Sequence, residues 1–275
     1  MTAKHALITG AAQGLGYEFA NQLAAKGWSL TLLDYNQGAL EQAVAALAHR
    51  FPDLLISAHP LDLTDSTSLA NWLQETYLPG SPQLDLLINN AGITHRSPAS
   101  STDISVFERV MRLNWLAPVQ LTQALLPTLR KTKGTVIVMA SMASWLPLPG
   151  RAGYCASKSA VSQHFETWRP ELERQGIHLT LAYPSFVATS IETNALGSDG
   201  QPTPAARTTS GGIEQPSELV QRVLAAALPV KGRPKPRVWG KQWSPRLGYL
   251  LWHLTPRIFR RLMWKKFSAD IPNEY

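Results

Sequence analysis

Tyr154 and Lys158 are a pair of side chains whose types and spacing could do chemistry together. In a helix, residues four apart lie on one face, with their Cβ atoms about 5–6 Å apart. A free tyrosine ionises near pH ~10, and a neighbouring ammonium lowers that pKa because it favours the phenolate. The pair could therefore give and take a proton near neutral pH. The same spacing is common on ordinary helix faces, so the rest of the chain must supply the case for a site.

A glycine-rich turn near the start of the sequence predicts a dinucleotide site. An apolar run at residues 4–9 predicts a buried strand, and residues 17–26 have helical character. Glycines between them permit a tight turn and a close approach of backbone and helix to a diphosphate. An ordinary strand-to-helix turn without a ligand is the alternative. The candidate contacts are Gly10, Gln13, Gly14, Leu15 and Gly16.

Asp34 ends the second predicted strand, at residues 29–34. An acid at this position accepts hydrogen bonds from the adenosine ribose hydroxyls, and it repels a 2′-phosphate. Neither Gln13 nor Tyr35 supplies a cation, so the sequence favours NAD(H) over NADP(H). The alternative is that Asp34 merely caps the next helix. Asp62 could likewise hold the adenine edge or cap the helix predicted at residues 66–76.

Strands and helices alternate through the first half of the chain. This alternation predicts an α/β fold in a single domain, with a doubly wound parallel sheet. Ligands of such sheets bind at the carboxyl ends of the strands, where Gly10, Asp34, Asp62 and Asn90 are expected. The predicted strands are 4–9, 29–34, 54–60, 84–92 with its polar exit, and 134–141, and the predicted helices after the first are 38–50, 66–76 and 105–128.

Several motifs, in register over residues 4–230, together resemble the short-chain dehydrogenase/reductase family, which has a Rossmann-like fold. Residues 9–16 match the family's cofactor turn, and residues 89–92 match its central structural motif. Residues 184–189 resemble its proline-led loop beside the nicotinamide. Ser185 replaces a common glycine and Ala140 a frequent serine. The residues that match the family's catalytic tetrad are Asn114, Ser141, Tyr154 and Lys158.

The resemblance implies a role for each of these residues. Tyr154 would pass a proton to or from the substrate oxygen, and Ser141 would hydrogen-bond the same oxygen. Lys158 would lower the pKa of the tyrosine and hold the nicotinamide ribose, and Asn114 would hold a water that links Lys158 to solvent. The nicotinamide carries the hydride. Further implied cofactor contacts are Asp62, Leu63, Asn90, Ala91, Gly92, Tyr154, Lys158, Pro184, Val187 and Thr189.

Residues 190–216 predict a mobile loop, because they are rich in Gly, Ser, Thr and Pro and have few apolar anchors. The resemblance makes this loop a substrate lid, with an insertion that contacts no ligand as the alternative. Apolar residues near the expected mouth favour a hydrophobic alcohol or carbonyl substrate. The candidate substrate contacts are Ser141, Ala143, Trp145, Tyr154 and Phe186.

Length and composition limit the classes of protein to which the chain can belong. A chain of 275 residues can build one large α/β domain, and its single cysteine, Cys155, cannot form a disulfide within the chain. No apolar run is long enough for an export signal or a membrane span, so the expected location is cytoplasmic. No metal is expected. The resemblance implies a homodimer or homotetramer, built from the helices that carry Asn114 and Tyr154.

Residues 231–275 form a basic, aromatic-rich extension. They hold 11 Lys/Arg and 2 Asp/Glu, which leaves 26−11 = 15 basic and 19−2 = 17 acidic residues in residues 1–230. Residues 231–237 predict an extended linker, and Thr255-Pro256 predicts a helix start. An apolar stripe then opposes five cations, and this pattern suits an anionic membrane surface at residues 239–267. The stripe is Ile258, Phe259, Leu262, Met263 and Phe267, and the cations are Arg257, Arg260, Arg261, Lys265 and Lys266.

Packing of this stripe on the protein body or across a subunit interface is the alternative to membrane contact, and nucleic acid is the least favoured partner. The leading hypothesis is an NAD(H)-dependent oxidoreductase that interconverts a hydrophobic secondary alcohol and a ketone or aldehyde. The alternatives are a non-catalytic dinucleotide sensor and a membrane-tethered scaffold. A pure sensor has no need of Tyr154, so the intact set of four residues argues against it.

Overall fold

The sheet predicted from the alternating pattern is present in the computed structural model, which describes residues 3–79, 83–189, 191, 194–203, 212–242 and 244–267. Its strands are β1 (His5–Thr9), β2 (Ser29–Asp34), β3 (Ile56–Pro60), β4 (Leu86–Asn89), β5 (Thr135–Met139), β6 (His178–Tyr183) and β7 (Arg237–Trp239). The order of the strands in the described residues is β3-β2-β1-β4-β5-β6-β7, and every neighbouring pair is parallel.

Helices cover both faces of the sheet. The helices of the described residues are α1 (Gly14–Ala24), α2 (Gln37–Arg50), α3 (Ser66–Asn71), α4 (Ile104–Met111), α5 (Ala117–Thr132), α6 (Ala152–Arg174), α7 (Pro216–Ala227), α8 (Ser244–Leu254) and α9 (Pro256–Phe267). Successive residues of β1 point to opposite faces, so Ala6 and Ile8 pack with α1, α2 and α7, while Leu7 packs with α3, α5 and α6. The doubly wound, single-domain prediction is therefore confirmed.

The long helix predicted at residues 105–128 is interrupted in the structure. A π-helical turn, Arg112–Leu116, lies between α4 and α5. Asn114 lies in this turn and is 1% exposed, although a polar residue in the middle of a helix usually faces solvent. A wide turn of this kind often occurs at functional sites, since it re-aims side chains inward. A second π-helical segment, Trp72–Tyr77, follows α3.

The C-terminal extension is joined to the sheet. The backbone N–H of Lys235 donates to the Ala226 carbonyl over 2.8 Å, and the Thr180 hydroxyl donates to the Lys235 carbonyl over 2.8 Å. β7 then pairs with β6 as an edge strand. Prolines at 234 and 236 lack an N–H, so the pattern of this segment indicates a linker rather than a strand. The predicted helix start at Thr255-Pro256 is confirmed by α9.

Candidate active site

A cavity of about 650 Å³ opens at the carboxyl ends of the strands. The chain builds outward from β1 to β2 and β3 on one side and from β4 to β7 on the other, so β1 and β4 flank the switch point where such sheets bind ligands. The loops after six strands line it, through Gly10, Tyr35, Asp62, Asn90, Ser141 and Pro184.

The turn after β1 is packed so closely that only glycine fits. Gly10 has a φ of +64°, and a Cβ there would lie 2.9 Å from the Cα of Ala91. A Cβ on Gly16 would lie 1.9 Å from the Gly10 carbonyl oxygen, so Gly16 supports the turn from beneath and does not line the cavity. Asn90 fixes the same turn, because its Nδ2 donates to the carbonyls of Thr9 and Gly10.

The N-terminus of α1 opens onto the cavity through Gln13, Gly14 and Leu15. Its first turn contains no acidic residue, so its N–H groups and helix dipole can face an anion. Thr189, from the loop after β6, approaches the same turn, since a Cβ on Gly14 would lie 3.6 Å from the Thr189 Cβ. These features fit the diphosphate of a dinucleotide.

Neither acid at the far end of the cavity caps a helix. Asp34 accepts from the backbone N–H of Asn36 over 3.0 Å and from that of Ala12 over 3.1 Å, and α2 is capped by the Asn36 side chain. Asp62 accepts from the backbone N–H of Thr64 over 2.8 Å, and α3 is capped by Asp65. The helix-cap alternative is therefore wrong for both residues, which instead line the cavity together with Leu63.

Lys158 is buried at the centre of the site, with 4% of its surface exposed. Its Nζ donates to the Met139 carbonyl over 2.7 Å and lies 5.9 Å from the centre of the Tyr154 ring. Burial lowers the pKa of Lys158 to about 8. α6 carries both residues, and both line the cavity, so the predicted helical pairing is present.

Asn114 hydrogen-bonds two separate segments of the chain behind the cavity. Its Oδ1 accepts from the backbone N–H of Ile93, and its Nδ2 donates to the Ile93 carbonyl and to Ser157 Oγ, each over 2.9 Å. Ser157 is fully buried and donates to the Tyr154 carbonyl over 2.9 Å. The side chain thus ties the exit of β4 to the turn of α6 that carries Tyr154.

Ser141 follows β5 and lines the cavity. Its Oγ accepts from the backbone N–H of Ala143 over 3.1 Å. This bond fixes the oxygen and leaves the hydroxyl hydrogen available as a donor. Three of the four residues predicted by resemblance therefore line one cavity, and Asn114 supports them from behind.

Comparison with known proteins agrees with this geometry. The sequence matches the short chain dehydrogenase family over residues 4–198. A protein named Dehydrogenase/reductase SDR family member 7B, from Bos taurus, is 35% identical over 264 residues, which cover 94% of this chain and 79% of the relative. The chain belongs to the short-chain dehydrogenase/reductase family.

Solved structures of the family have the same fold. A short-chain dehydrogenase from Streptomyces avermitilis superposes with a TM-score of 0.77, at 25% identity and with 98% of each chain covered. A second, from Sphingobium yanoikuyae and in complex with NADPH, has a TM-score of 0.74 at 24% identity, with 99% of this chain and 98% of that chain covered.

His95 contacts the start of α6, and the sequence analysis did not identify it as part of the site. Its Nε2 accepts from the backbone N–H of Gly153, at the start of α6, over 2.9 Å. Its Nδ1 therefore carries the hydrogen and faces Ser97 Oγ at 3.1 Å. Burial and the charge of Arg151 lower the pKa of His95 to about 4, so the ring is neutral at neutral pH. A single histidine after residues 89–92 has no spacing signal that could have revealed this contact.

Apolar residues line part of the cavity, but two of the predicted substrate contacts lie elsewhere. Ala143 is 1% exposed, and Trp145 packs against Tyr183 and Trp239 with ring centres 4.7 Å away. Ala143 lies in the short 3₁₀ turn Met142–Ser144 and Trp145 follows it, and neither residue lines the cavity. Predicted contacts that do line the cavity are Ser141, Tyr154 and Phe186, and apolar residues beside them are Leu113, Met142, Leu148 and Leu196.

The predicted lid is described only in part, because residues 190, 192–193 and 204–211 lie outside the described residues. Leu196 bridges to Pro202, and its backbone N–H donates to the Thr94 carbonyl over 2.9 Å. Ala195 and Leu196 are buried and anchor the described residues 194–203 to the body of the protein. Ile191, Asn194 and Leu196 line the cavity, and a lid function stays a prediction.

Lys158→Met tests the buried charge. The pKa of Lys158 falls from 10.5 to about 8 on folding, so the penalty for burying its charge is present in full below pH 8 and disappears between pH 8 and 10.5. We expect the variant to gain stability relative to wild type at pH 7, where the wild type pays this penalty. The free energy of unfolding of the variant minus that of wild type should be about 2–3 kcal/mol more positive at pH 7 than at pH 10. Denaturant unfolding at both values measures this difference. The exposed Lys26→Met is the control, and an equal difference at both pH values would contradict the assignment.

Proposed function

We propose that this protein is an NAD(H)-dependent oxidoreductase that interconverts a hydrophobic alcohol, preferably secondary, and the corresponding carbonyl compound. The observation that carries the proposal is the meeting of Ser141, Tyr154 and Lys158 in one cavity with the glycine turn after β1. Family membership supports the same activity.

The residues that line the cavity suit a nicotinamide dinucleotide. The N–H groups at the start of α1 would hold the diphosphate, Asp34 the adenosine ribose, and Lys158 the nicotinamide ribose. Val187 and Thr189 would orient the carboxamide, and Pro184, Asn90, Ala91 and Gly92 would border the ring and its ribose. When bound, this cofactor supplies or accepts the hydride.

The chain itself handles the proton. In reduction, the Tyr154 hydroxyl gives its proton to the carbonyl oxygen, and in oxidation the phenolate takes the proton back. Ser141 donates a hydrogen bond to the same oxygen and holds it in the reactive pose. The ammonium of Lys158 stabilises the phenolate. Asn114 Oδ1 has a second lone pair, with which it would hold the water that links Lys158 to solvent.

The charge distribution of the cavity supports NAD(H) over NADP(H). Asp34 lies at the end of β2, where a 2′-phosphate would bring a second negative charge. Three cations line the described cavity: Arg109 on α4, Arg151 just before α6 and Lys158 on α6. None of these three lies at the end of β2.

We further propose a cytoplasmic homo-oligomer with peripheral membrane contact through residues 239–267, and no nucleic-acid partner. We propose an apolar substrate, because Leu113, Met142, Leu148 and Phe186 are among the residues that line the cavity. A protein that binds NADH but turns over no alcohol or carbonyl compound would instead be the non-catalytic sensor.

Tyr154→Phe tests the proton step. We expect kcat to fall by about 10²–10⁴-fold, because the general acid and base is lost, while the Kd for NADH stays near wild type. NADH absorbance with a panel of hydrophobic ketones and alcohols measures turnover, and fluorescence titration measures binding. Tyr17→Phe, on α1 and outside the cavity, is the matched control. Turnover within about tenfold of wild type would refute the role.

Asp34→Asn tests cofactor choice. We expect wild type to prefer NADH over NADPH by at least about tenfold in kcat/KM, and the variant to lose most of that preference, because the repulsion of the 2′-phosphate is gone. Asp53→Asn, at an exposed position after α2, is the control. Equal efficiency of wild type with both cofactors would contradict this interpretation of Asp34.

A further inference from the structure

The last two helices cover the wall of the substrate cavity. Leu251 and Trp252 of α8, with Phe259 and Met263 of α9, pack in one cluster with Met142, Leu146, Leu148 and Phe186. Phe259 is 4% exposed, and Trp252 lies against it with ring centres 5.4 Å apart. Met142, Leu148 and Phe186 also line the cavity. The inner sides of α8 and α9 therefore form the outer layer of the substrate wall.

Beside these packed residues, the same helices expose a line of large apolar residues. These residues recur every three or four positions, so they follow one side of each helix. At least 43% of each side chain is exposed, and the fraction reaches 76% at Leu254. We call this set the outer stripe; it consists of Leu247, Leu250, Leu254, Ile258 and Leu262.

Cations and aromatic residues accompany the outer stripe. Arg257, Arg260, Arg261 and Lys265 of α9 are exposed, and residues 237–267 contain no Asp or Glu. Trp264 is 62% exposed and Tyr249 is 44% exposed. Aromatic side chains of this kind favour the boundary between lipid and water. A second copy of the chain would bring the same cations against each other, so the charge favours an anionic occupant.

We propose that the outer stripe docks on the surface of an anionic phospholipid bilayer. The apolar side chains enter the boundary between headgroups and acyl chains, and the arginines and Lys265 contact the lipid phosphates. Among the described residues, we find no helix that could span a bilayer.

Docking places the substrate cavity one helix layer from the bilayer. The inner sides of α8 and α9 touch Met142 and Phe186, and their outer sides touch lipid, so an apolar substrate dissolved in the bilayer meets the enzyme at its cavity wall. This second part rests on the proposed function. It predicts faster turnover of a membrane-dissolved ketone than of a water-soluble one when vesicles are present.

Vesicle sedimentation of the full-length protein tests the docking without any need for turnover. We expect the protein to sediment with vesicles of phosphatidylcholine and phosphatidylglycerol, and to bind phosphatidylcholine alone much more weakly. The double variant Leu254→Ser/Leu262→Ser should lose binding on the order of tenfold or more. The double variant Arg257→Gln/Arg261→Gln should lose a similar factor on anionic vesicles only. Leu55→Ser is the matched control, since Leu55 is 79% exposed and precedes β3 at the opposite edge of the sheet.

Two results would overturn the proposal. One is failure of the full-length protein to sediment with anionic vesicles at low salt, where such attraction is strongest. The other is a Leu254→Ser/Leu262→Ser variant that changes from oligomer to monomer while its vesicle binding stays the same, because the outer stripe would then be a subunit interface.

Turnover tests the second part of the proposal. The Leu254→Ser/Leu262→Ser variant should lose turnover of a long-chain ketone in vesicles and keep turnover of a water-soluble ketone. Vesicle binding by a wild type that reduces neither ketone would refute the proposed function and leave the docking intact.

Discussion

The site depends on one buried charge. Lys158 is 4% exposed, and a bond of 2.7 Å to the Met139 carbonyl at the end of β5 holds its Nζ. A buried ammonium is costly unless neighbouring groups compensate it, and its lowered pKa reports that cost. Gly92 borders the same space, because a Cβ there would lie 3.2 Å from Asn114 Oδ1 and 3.4 Å from Nζ. The carbonyl at the end of β5 and the amide of Asn114 are thus the groups nearest to this part of the site.

The loop after β4 connects the parts of the site. Asn90 holds the glycine turn after β1, and Ile93 is bonded to Asn114, which reaches α6 through Ser157. His95 accepts from the first turn of α6, and the backbone N–H of Arg96 donates to the Leu196 carbonyl over 2.7 Å. One eight-residue segment, 90–97, therefore fixes the cofactor turn, the helix of Tyr154 and the described part of the predicted lid. Its neutral histidine suits this purpose, because a protonated ring could not accept from Gly153.

Features that depend only on short segments of the chain were predicted correctly from local sequence patterns. The apolar strands, the glycine turn and the Tyr154–Lys158 spacing are properties of short segments, and the structure contains each of them. Features that depend on distant partners could not be predicted in this way. The π-helical turn at Asn114 exists where that side chain bonds Ile93, and β7 is a strand because β6 offers an edge. Trp145 faces inward because Tyr183 and Trp239 meet it there.

The C-terminal extension shows why its sequence supported two interpretations. The apolar stripe predicted on α9 divides in the structure: Phe259 and Met263 pack on the body, while Ile258 and Leu262 are half exposed. With about 3.6 residues per turn, these four side chains lie next to one another on one broad apolar side of α9. One part of that side packs on the protein and the other part is exposed, so protein packing and lipid contact are compatible here. The packed residues of α8 and α9 also contact the cluster of Met142, Leu148 and Phe186, which lines the cavity. The position of the two helices therefore depends on the cavity wall as well as on the surface that the outer stripe contacts.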